Sequence, residues 1–142
     1  MIIDNAQSYR DKVITLLAAE KLPVDDLPEL LTDFVAAIED TTIIGVAGLE
    51  IYGPYGLLRS LAVSPDHRNK GIAGKLLGQI ETIAALKSLK ELYLLTETAP
   101  AYFTQKGYQK ITRSDVPIVV MESSEFSHVC PVSAIVMKKT LS

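Results

Sequence analysis

The sequence predicts a mixed α/β fold in which antiparallel strands come first and a parallel pair lies at the centre of the sheet. Two observations lead to this prediction. Residues 34–63 consist of short apolar runs separated by tight turns, which is typical of an antiparallel meander. Residues 57–96 then have the pattern of strand, helix and strand, and a crossover of this kind makes its two strands parallel. At 142 residues, the chain is expected to form one domain, residues 1–142.

The individual elements follow from the spacing of the apolar residues. Helical spacing predicts a helix over 8–20 and a second one from Gly71 to about Leu86. The piece LPELLTD, residues 27–33, is expected to form a short helix capped by Asp25 or Asp26. Strands are predicted at 34–40, 41–53, 57–63, 90–97, 108–111 and 133–139. A further helix is predicted from Pro100 to Lys106, ended by Gly107, and a helical turn at 123–130.

The composition argues against several classes of function. The net charge is only −3 and the basic residues are scattered, which is unlike a nucleic-acid-binding protein. Cys130 is the only cysteine, and His67 and His128 are the only histidines, so we expect no disulfide and no metal site. No apolar stretch reaches the roughly 18 residues of a membrane span, and the N-terminus lacks the layout of a signal peptide. We therefore expect a cytoplasmic protein.

One short motif carries chemistry. Arg68 to Ala73 read RNKGIA, with the spacing R-x-x-G-x-A, directly after a predicted strand and at the start of a predicted helix. Unpaired N–H groups and the positive end of the helix dipole attract phosphate at such a point. Gly71 would let a ligand approach the backbone, and Lys70 adds positive charge. The spacing alone fits an ordinary helix start equally well, with Asp66 as its cap.

Two longer blocks resemble a known family. The stretch LRSLAVSPDHRNKGIAGKLL, residues 58–77, resembles the acetyl-coenzyme A signature of the GNAT family of N-acetyltransferases. The stretch LYLLTETAPAYFTQKGYQKI, residues 92–111, resembles the second conserved block of the same family. The blocks occur in the family's order, and the resemblance covers residues 8–112. Four shorter pieces, LPVDDL, YGLLRSLAV, RSDVP and CPVSAIVM, are similar to the arsenic-resistance-type subgroup.

The resemblance implies the acyl-CoA N-acyltransferase fold, with a mostly antiparallel sheet, a splayed parallel strand pair and helices on both faces. It also implies acetyl-CoA as the cofactor. The backbone of residues 69–74 would surround the pyrophosphate, and backbone groups of Leu61 and Val63 would pair with the pantetheine as an added strand does. The cofactor-binding residues implied in this way are Leu61, Ala62, Val63, Arg68, Asn69, Lys70, Gly71, Ile72, Ala73, Gly74 and Phe103.

The implied reaction is direct attack of a neutral amine on the thioester, followed by protonation of the leaving thiolate. The family's usual tyrosine for that proton lies four residues before the glycine of the second block, where this chain has Phe103. Tyr102 is adjacent, but one helical step turns a side chain by about 100°. Either water or another residue would therefore protonate the thiolate, or the register of the helix is shifted by one residue. Glu50 and Glu97 are candidate bases, and each also fits a solvated carboxylate at a strand end.

The acceptor is less well defined. Arg59 either binds an acceptor carboxylate as a fork or pairs with a neighbouring acid on the sheet surface. The leading function is acetyl transfer to the primary amine of a small molecule, such as an amino acid or an analogue of one. Two alternatives stay open, a non-catalytic acyl-CoA sensor and an enzyme that acetylates peptides or proteins. Besides the small-molecule amine, we expect neither a nucleic acid nor a membrane as a partner. The resemblance also implies a possible homodimer, because acceptor sites in this family are often completed by a neighbouring chain.

Overall fold

The structure, a computed structural model, describes residues 1–123 and 134–141. These residues contain seven strands and four α-helices. In chain order they are β1 (Ile2–Asn5), α1 (Arg10–Ala19), β2 (Phe34–Glu39), β3 (Thr42–Tyr52), β4 (Tyr55–Val63), α2 (Ile72–Leu86), β5 (Glu91–Thr96), α3 (Pro100–Gln105), β6 (Gln109–Ile111), α4 (Ile118–Met121) and β7 (Ile135–Thr140).

The strands form one sheet with the order β1-β2-β3-β4-β5-β7-β6. The pairs β1–β2, β2–β3, β5–β7 and β6–β7 are antiparallel. The pair β4–β5 is parallel, as the crossover through α2 requires. Its register runs from Tyr55 opposite Glu91 to Leu57 opposite Tyr93. The predicted mixed α/β sheet with a parallel pair inside it is therefore confirmed.

The chain forms two compact units, and β3 and β4 run through both. Unit 1 consists of Met1–Leu49 and Leu58–Ile83, and unit 2 consists of Glu50–Leu57 and Ala84–Ser142.

Helices cover both faces of the sheet in unit 1. Val46 lies in the core cluster that contains Val13 and Leu17 of α1. Its neighbour Gly45 points the other way, because a Cβ placed on it would come within 2.9 Å of Leu76 of α2. The predicted placement of helices on opposite faces is confirmed for this part of the sheet.

Unit 2 has its own apolar core. Leu57 of β4, Tyr93 of β5 and Val136 of β7 pack with Val116 and Val120, which flank and lie in the short helix α4. This cluster covers β5, β7 and the end of β4 that lies in this unit.

One predicted element is wrong. Residues 27–33 form turns instead of a short helix. Arg10 donates hydrogen bonds from Nη1 to the carbonyls of Pro28, at 2.6 Å, and Glu29, at 3.0 Å. These contacts hold the segment in a non-helical conformation. Asp26, expected as a cap, binds an arginine with its carboxylate.

The sequence prediction missed two short elements, β1 and α4, while the other predicted strands and helices within the described residues are confirmed within a few positions. The helical turn predicted for 123–130, with His128 and Cys130, lies beyond Ser123 outside the described residues. None of the described helices is both long and apolar enough to cross a membrane.

Candidate active site

Ser60 interrupts the regular alternation of β4. Its φ of 59° lies in the left-handed region, which a serine in a strand rarely adopts. Arg59, directly before Ser60 in the chain, binds Asp26. Ala62, two positions after Ser60, packs in the cluster that contains Leu31 and residues of α1. Two residues three positions apart would face opposite sides of a regular strand. Ser60 thus acts as a β-bulge that turns both Arg59 and Ala62 toward the layer formed by α1 and the segment after it.

Arg59 and Asp26 form a buried ion pair. The Arg59 Nη1 and Nη2 atoms lie 2.7 and 2.8 Å from the two carboxylate oxygens of Asp26, which is the bidentate arrangement. The side chain of Arg59 is fully buried and that of Asp26 is 8% exposed. Of the two predicted alternatives, the structure places Arg59 against an acid of its own chain, inside the protein and not on the sheet surface. Direct binding of an acceptor carboxylate would need this pair to open, and it stays a prediction.

The segment between β4 and α2 reverses direction through two left-handed residues. Ser64 donates from its N–H to the carbonyl of Ile44, at 2.8 Å, and Pro65–His67 form one turn of 3-10 helix. Asn69 and Gly71 then have φ values of 64° and 78°. A Cβ built on Gly71 meets no protein atom within 4 Å. The space above this glycine is therefore available to a ligand.

The N–H groups of residues 69–74 point to the function of this loop. Within the part of the chain that the structure describes, none of them has a hydrogen-bond acceptor. The first helical bond of α2 is donated by Lys75 to the carbonyl of Gly71, at 3.2 Å, so Gly71 precedes the helix directly. Asp66 lies in the 3-10 turn and is not the cap. Six consecutive donors around an open glycine fit a pyrophosphate group.

The charges around the loop are partly engaged by other residues. Arg68 donates from Nε to the carbonyl of Val63, at 3.3 Å, and its guanidinium forms an ion pair with Glu20. Lys70 is exposed. His67 lies with Nε2 3.4 Å from the carboxylate of Glu39 and with most of its side chain covered. Arg68 therefore links the loop to the end of α1 while its side chain stays 53% exposed, and Lys70 adds a second exposed cation.

The remaining predicted site residues lie in unit 2. Glu50 accepts a hydrogen bond from the hydroxyl of Tyr52, at 2.7 Å. Glu97 is exposed, just past the end of β5. Phe103 is 7% exposed, and its ring lies edge-to-face against both Tyr102 and Tyr108, with centroids 5.4 and 5.7 Å apart.

Tyr102 carries a hydroxyl in this aromatic cluster. Its hydroxyl oxygen is buried, and the ammonium of Lys106 lies 5.6 Å from the centre of its ring. An ammonium over a tyrosine ring is attracted by the ring's electron-rich face. The roles predicted for Glu50, Glu97, Tyr102 and Phe103 stay predictions.

Three residues that shape the site were not recognised in the sequence as parts of it: Glu20, Asp26 and Ser60. Glu20 closes the first predicted helix and has no visible link to the loop that it binds. Asp26 was assigned a different role, and a serine within an apolar strand gives no sign of a left-handed backbone. Their contacts with Arg59 and Arg68 reveal them, together with the left-handed φ of Ser60.

Comparison with known proteins gives a consistent result. The sequence model described as the acetyltransferase (GNAT) family matches residues 7–110. Among curated proteins, the chain is 30% identical over 98 residues to an uncharacterized N-acetyltransferase of Chlorobaculum tepidum. It is 36% identical over 62 residues to the amino-acid acetyltransferase of Ectopseudomonas mendocina. The chain spans 63% of the first protein and 14% of the second, and the matches cover 68% and 44% of this chain.

Solved structures share the fold. N-acetylglutamate synthase from Neisseria gonorrhoeae, in complex with coenzyme A and N-acetyl-glutamate, superposes with a TM-score of 0.81 at 18% identity, over 99% of this chain and 35% of that one. An acetyltransferase of the GNAT family from Staphylococcus aureus gives a TM-score of 0.79 at 22% identity, with 99% of both chains covered. A Mycobacterium tuberculosis protein in complex with CoA gives 0.81 at 18% identity, with 100% of both covered.

Proposed function

Because the chain belongs to the GNAT family of acetyltransferases, we propose that it transfers an acetyl group from acetyl-CoA to the primary amine of a small molecule, an amino acid or an analogue of one. One observation carries the proposal. The six N–H groups of residues 69–74 have no acceptor within the described chain, and a Cβ built on Gly71 would meet no protein atom within 4 Å. The first N–H groups of a helix have no partner within the helix, and a group of them beside an open glycine is well placed to bind an anion.

The cofactor would be held mainly by backbone groups. When bound, acetyl-CoA supplies the acetyl group in activated form, as a thioester. Residues 69–74 would bind its pyrophosphate, with Lys70 adding charge. The backbone of Leu61 and Val63 would bind the pantetheine amides, with Ala62 and Phe103 among the residues in contact. The similar structures from Neisseria gonorrhoeae and Mycobacterium tuberculosis contain coenzyme A, which supports this assignment.

Proton transfer falls to side chains of unit 2. Glu50 or Glu97 would accept the proton of the ammonium form of the acceptor, so that a neutral amine is available for attack. Tyr102 would donate the proton that the leaving thiolate needs, since Phe103 at the usual position has no hydroxyl. Comparison of Glu50→Gln with Glu97→Gln separates the two bases, because only the true base lowers kcat when its carboxylate is replaced.

An amino acid is the acceptor class that the comparisons support. Amino-acid acetyltransferases are among the curated relatives, and the Neisseria gonorrhoeae enzyme is solved with N-acetyl-glutamate. The narrower similarity to the arsenic-resistance-type subgroup adds amino-acid analogues to the candidates. We further propose that the protein acts in the cytoplasm and that it forms a homodimer. Size-exclusion chromatography with light scattering tests the homodimer.

The decisive experiment combines binding and turnover. Calorimetry measures the binding of coenzyme A, and release of the free thiol from acetyl-CoA is followed across a library of amines that includes amino acids, their analogues and lysine peptides. We expect binding and turnover with an amino acid. Binding without turnover on any amine would favour the sensor, which Phe103 suggests, and turnover only on peptides would favour a protein acetyltransferase. Absence of coenzyme A binding would contradict the proposal.

A further inference from the structure

We infer that Asp26 and Arg59 are positioning residues for coenzyme A: they hold Ser60 in its left-handed conformation and so fix the backbone of Leu61–Val63. The inference rests on the proposed function, because Leu61–Val63 are the residues proposed to bind the pantetheine. Neither Asp26 nor Arg59 needs to touch the cofactor for this role. All the residues involved belong to unit 1.

The conformation of Ser60 needs support from its neighbours. A residue with a Cβ is strained in the left-handed region, so it persists only where surrounding contacts determine it. Arg59 provides such a contact, because its Nε donates a hydrogen bond to the Ser60 Oγ, at 3.0 Å. Ser60 is 9% exposed, so water has little access to replace this bond. The strain and the hydrogen bond therefore occur at the same residue.

Arg59 is itself held firmly by Asp26. Besides the two bonds to the carboxylate, its Nη1 lies 3.4 Å from the Asp26 carbonyl. A fully buried guanidinium that lost its partner would be left as an uncompensated charge, which is strongly disfavoured. The fork thus restricts Arg59 to one orientation, and that orientation places Nε at Ser60.

The strand continues from Ser60 directly into the phosphate loop. Leu61, Ala62 and Val63 follow it, and the carbonyl of Val63 accepts a hydrogen bond from Arg68. If Ser60 returned to a regular strand conformation, the backbone groups of these three residues would exchange sides. A donor meant for the pantetheine would then point away from it. The ion pair consequently acts on cofactor binding through the backbone.

The segment that carries Asp26 has a second anchor, which supplies a control. Arg10 binds the carbonyls of Pro28 and Glu29 but has no hydrogen bond to β4. Arg10→Met therefore loosens the same segment without removing the contact to Ser60. Any effect that comes merely from disorder in the segment appears in this variant too.

The test replaces the ion pair by apolar side chains of similar size, Asp26→Leu with Arg59→Met. Such a replacement of a buried pair usually leaves a protein folded and often more stable. We expect a folded protein whose dissociation constant for coenzyme A rises about tenfold, as it does when the competent conformer falls to about a tenth of the population. The KM for acetyl-CoA rises with it. Amide hydrogen exchange of Leu61–Val63, measured without coenzyme A, becomes faster. Arg10→Met changes neither quantity.

Several outcomes would overturn the inference. One is a folded double variant with unchanged affinity for coenzyme A and unchanged amide hydrogen exchange at Leu61–Val63. Another is an Arg10→Met variant that loses as much coenzyme A affinity as the double variant does. If the double variant does not fold, Asp26→Asn is compared in the native and the Ser60→Gly backgrounds, because glycine adopts the left-handed conformation without help. Additive effects on coenzyme A affinity would then disprove the coupling. A native protein that binds no coenzyme A would refute the proposed function, whereas the exchange experiment would still test the role of the ion pair.

Discussion

Gly48 of β3 lies opposite Phe34 of β2, with the aromatic ring so close that a Cβ on residue 48 would come within 2.3 Å of the Phe34 Cε2. Phe34 is 1% exposed and belongs to the core beneath α1. The glycine therefore provides the room in which the ring fits, and the ring covers a strand backbone that has no side chain of its own.

Gly48→Ala is expected to lower the free energy of unfolding by about 1–3 kcal/mol, because the ring must move or the strands must separate. The measurement is urea unfolding followed by circular dichroism. Gly78→Ala is the matched control, since Gly78 lies in α2 and a Cβ added there would meet no neighbouring atom within 4 Å. It should raise stability by about 0.5–1 kcal/mol. A Gly48→Ala protein as stable as the native one would show that the ring is free to shift.

Gly71→Val should abolish detectable binding of coenzyme A, because the side chain fills the space above the donors of residues 69–74. The control is Gly53→Val, in the turn between β3 and β4. Gly53 has a similar φ of 64° and equally open surroundings. Each variant should lose about 1–2 kcal/mol of stability from backbone strain. Calorimetry distinguishes them, and equal affinity of both variants for coenzyme A would show that the loop is not its phosphate site.

Tyr102→Phe tests the assigned proton donor. If the Tyr102 hydroxyl protonates the leaving thiolate, kcat falls by about 10²-fold or more while the affinity for coenzyme A stays constant. Tyr108→Phe is the control, because Tyr108 belongs to the same aromatic cluster and is almost fully buried. Steady-state kinetics with a saturating amine provides the comparison. Full activity of Tyr102→Phe would leave water or another residue as the donor.

The buried hydroxyl of Tyr93 is expected to make the free energy of unfolding depend on pH in the alkaline range. Burial raises the pKa of Tyr93 far above its ordinary value of 10.0, and the neighbouring carboxylate of Glu91, which accepts its hydrogen bond at 3.0 Å, raises it further. Above about pH 10 the unfolded chain releases this proton and the folded chain keeps it, so stability falls as the pH rises. The contribution of this group is at most about 1.4 kcal/mol per pH unit.

Urea unfolding between neutral and strongly alkaline pH measures this effect, with Tyr93→Phe as the control. The phenylalanine variant lacks the titrating group and keeps both partners of the ion pair between Lys138 and Glu91. The native protein should therefore lose stability more steeply than the variant. Parallel curves would mean that Tyr93 ionises in the folded protein as readily as in the unfolded chain.

The turn and helix start between β4 and α2 could be predicted from the sequence because their features are local, while pyrophosphate binding there stays a proposal. A glycine followed two positions later by a small residue, between a strand and a helix, determines a turn and a helix start within a few residues. The apolar spacing of α2 and β5 is equally local, and both elements occur within one or two residues of their predicted ends.

The ion pair of Asp26 with Arg59 could not be predicted in the same way. The partners are 33 positions apart, and an aspartate before an apolar run fits a helix cap just as well. The expected helix at 27–33 fails for the same reason, since tertiary contacts from Arg10 and Arg59 outweigh the local preference. β1 and α4 were missed because four residues are too few to show a period.

Ser60 also determines how β4 can change in length. Because this residue adds one position to the strand without advancing its alternation, removing it would leave Arg59 and Ala62 two positions apart and on the same face, as in a regular strand. Removing Leu61 instead would turn Ala62 away from the core beneath α1. Among relatives with a shorter strand, the gap in an alignment is therefore expected at residue 60 and at no other position between Leu58 and Val63.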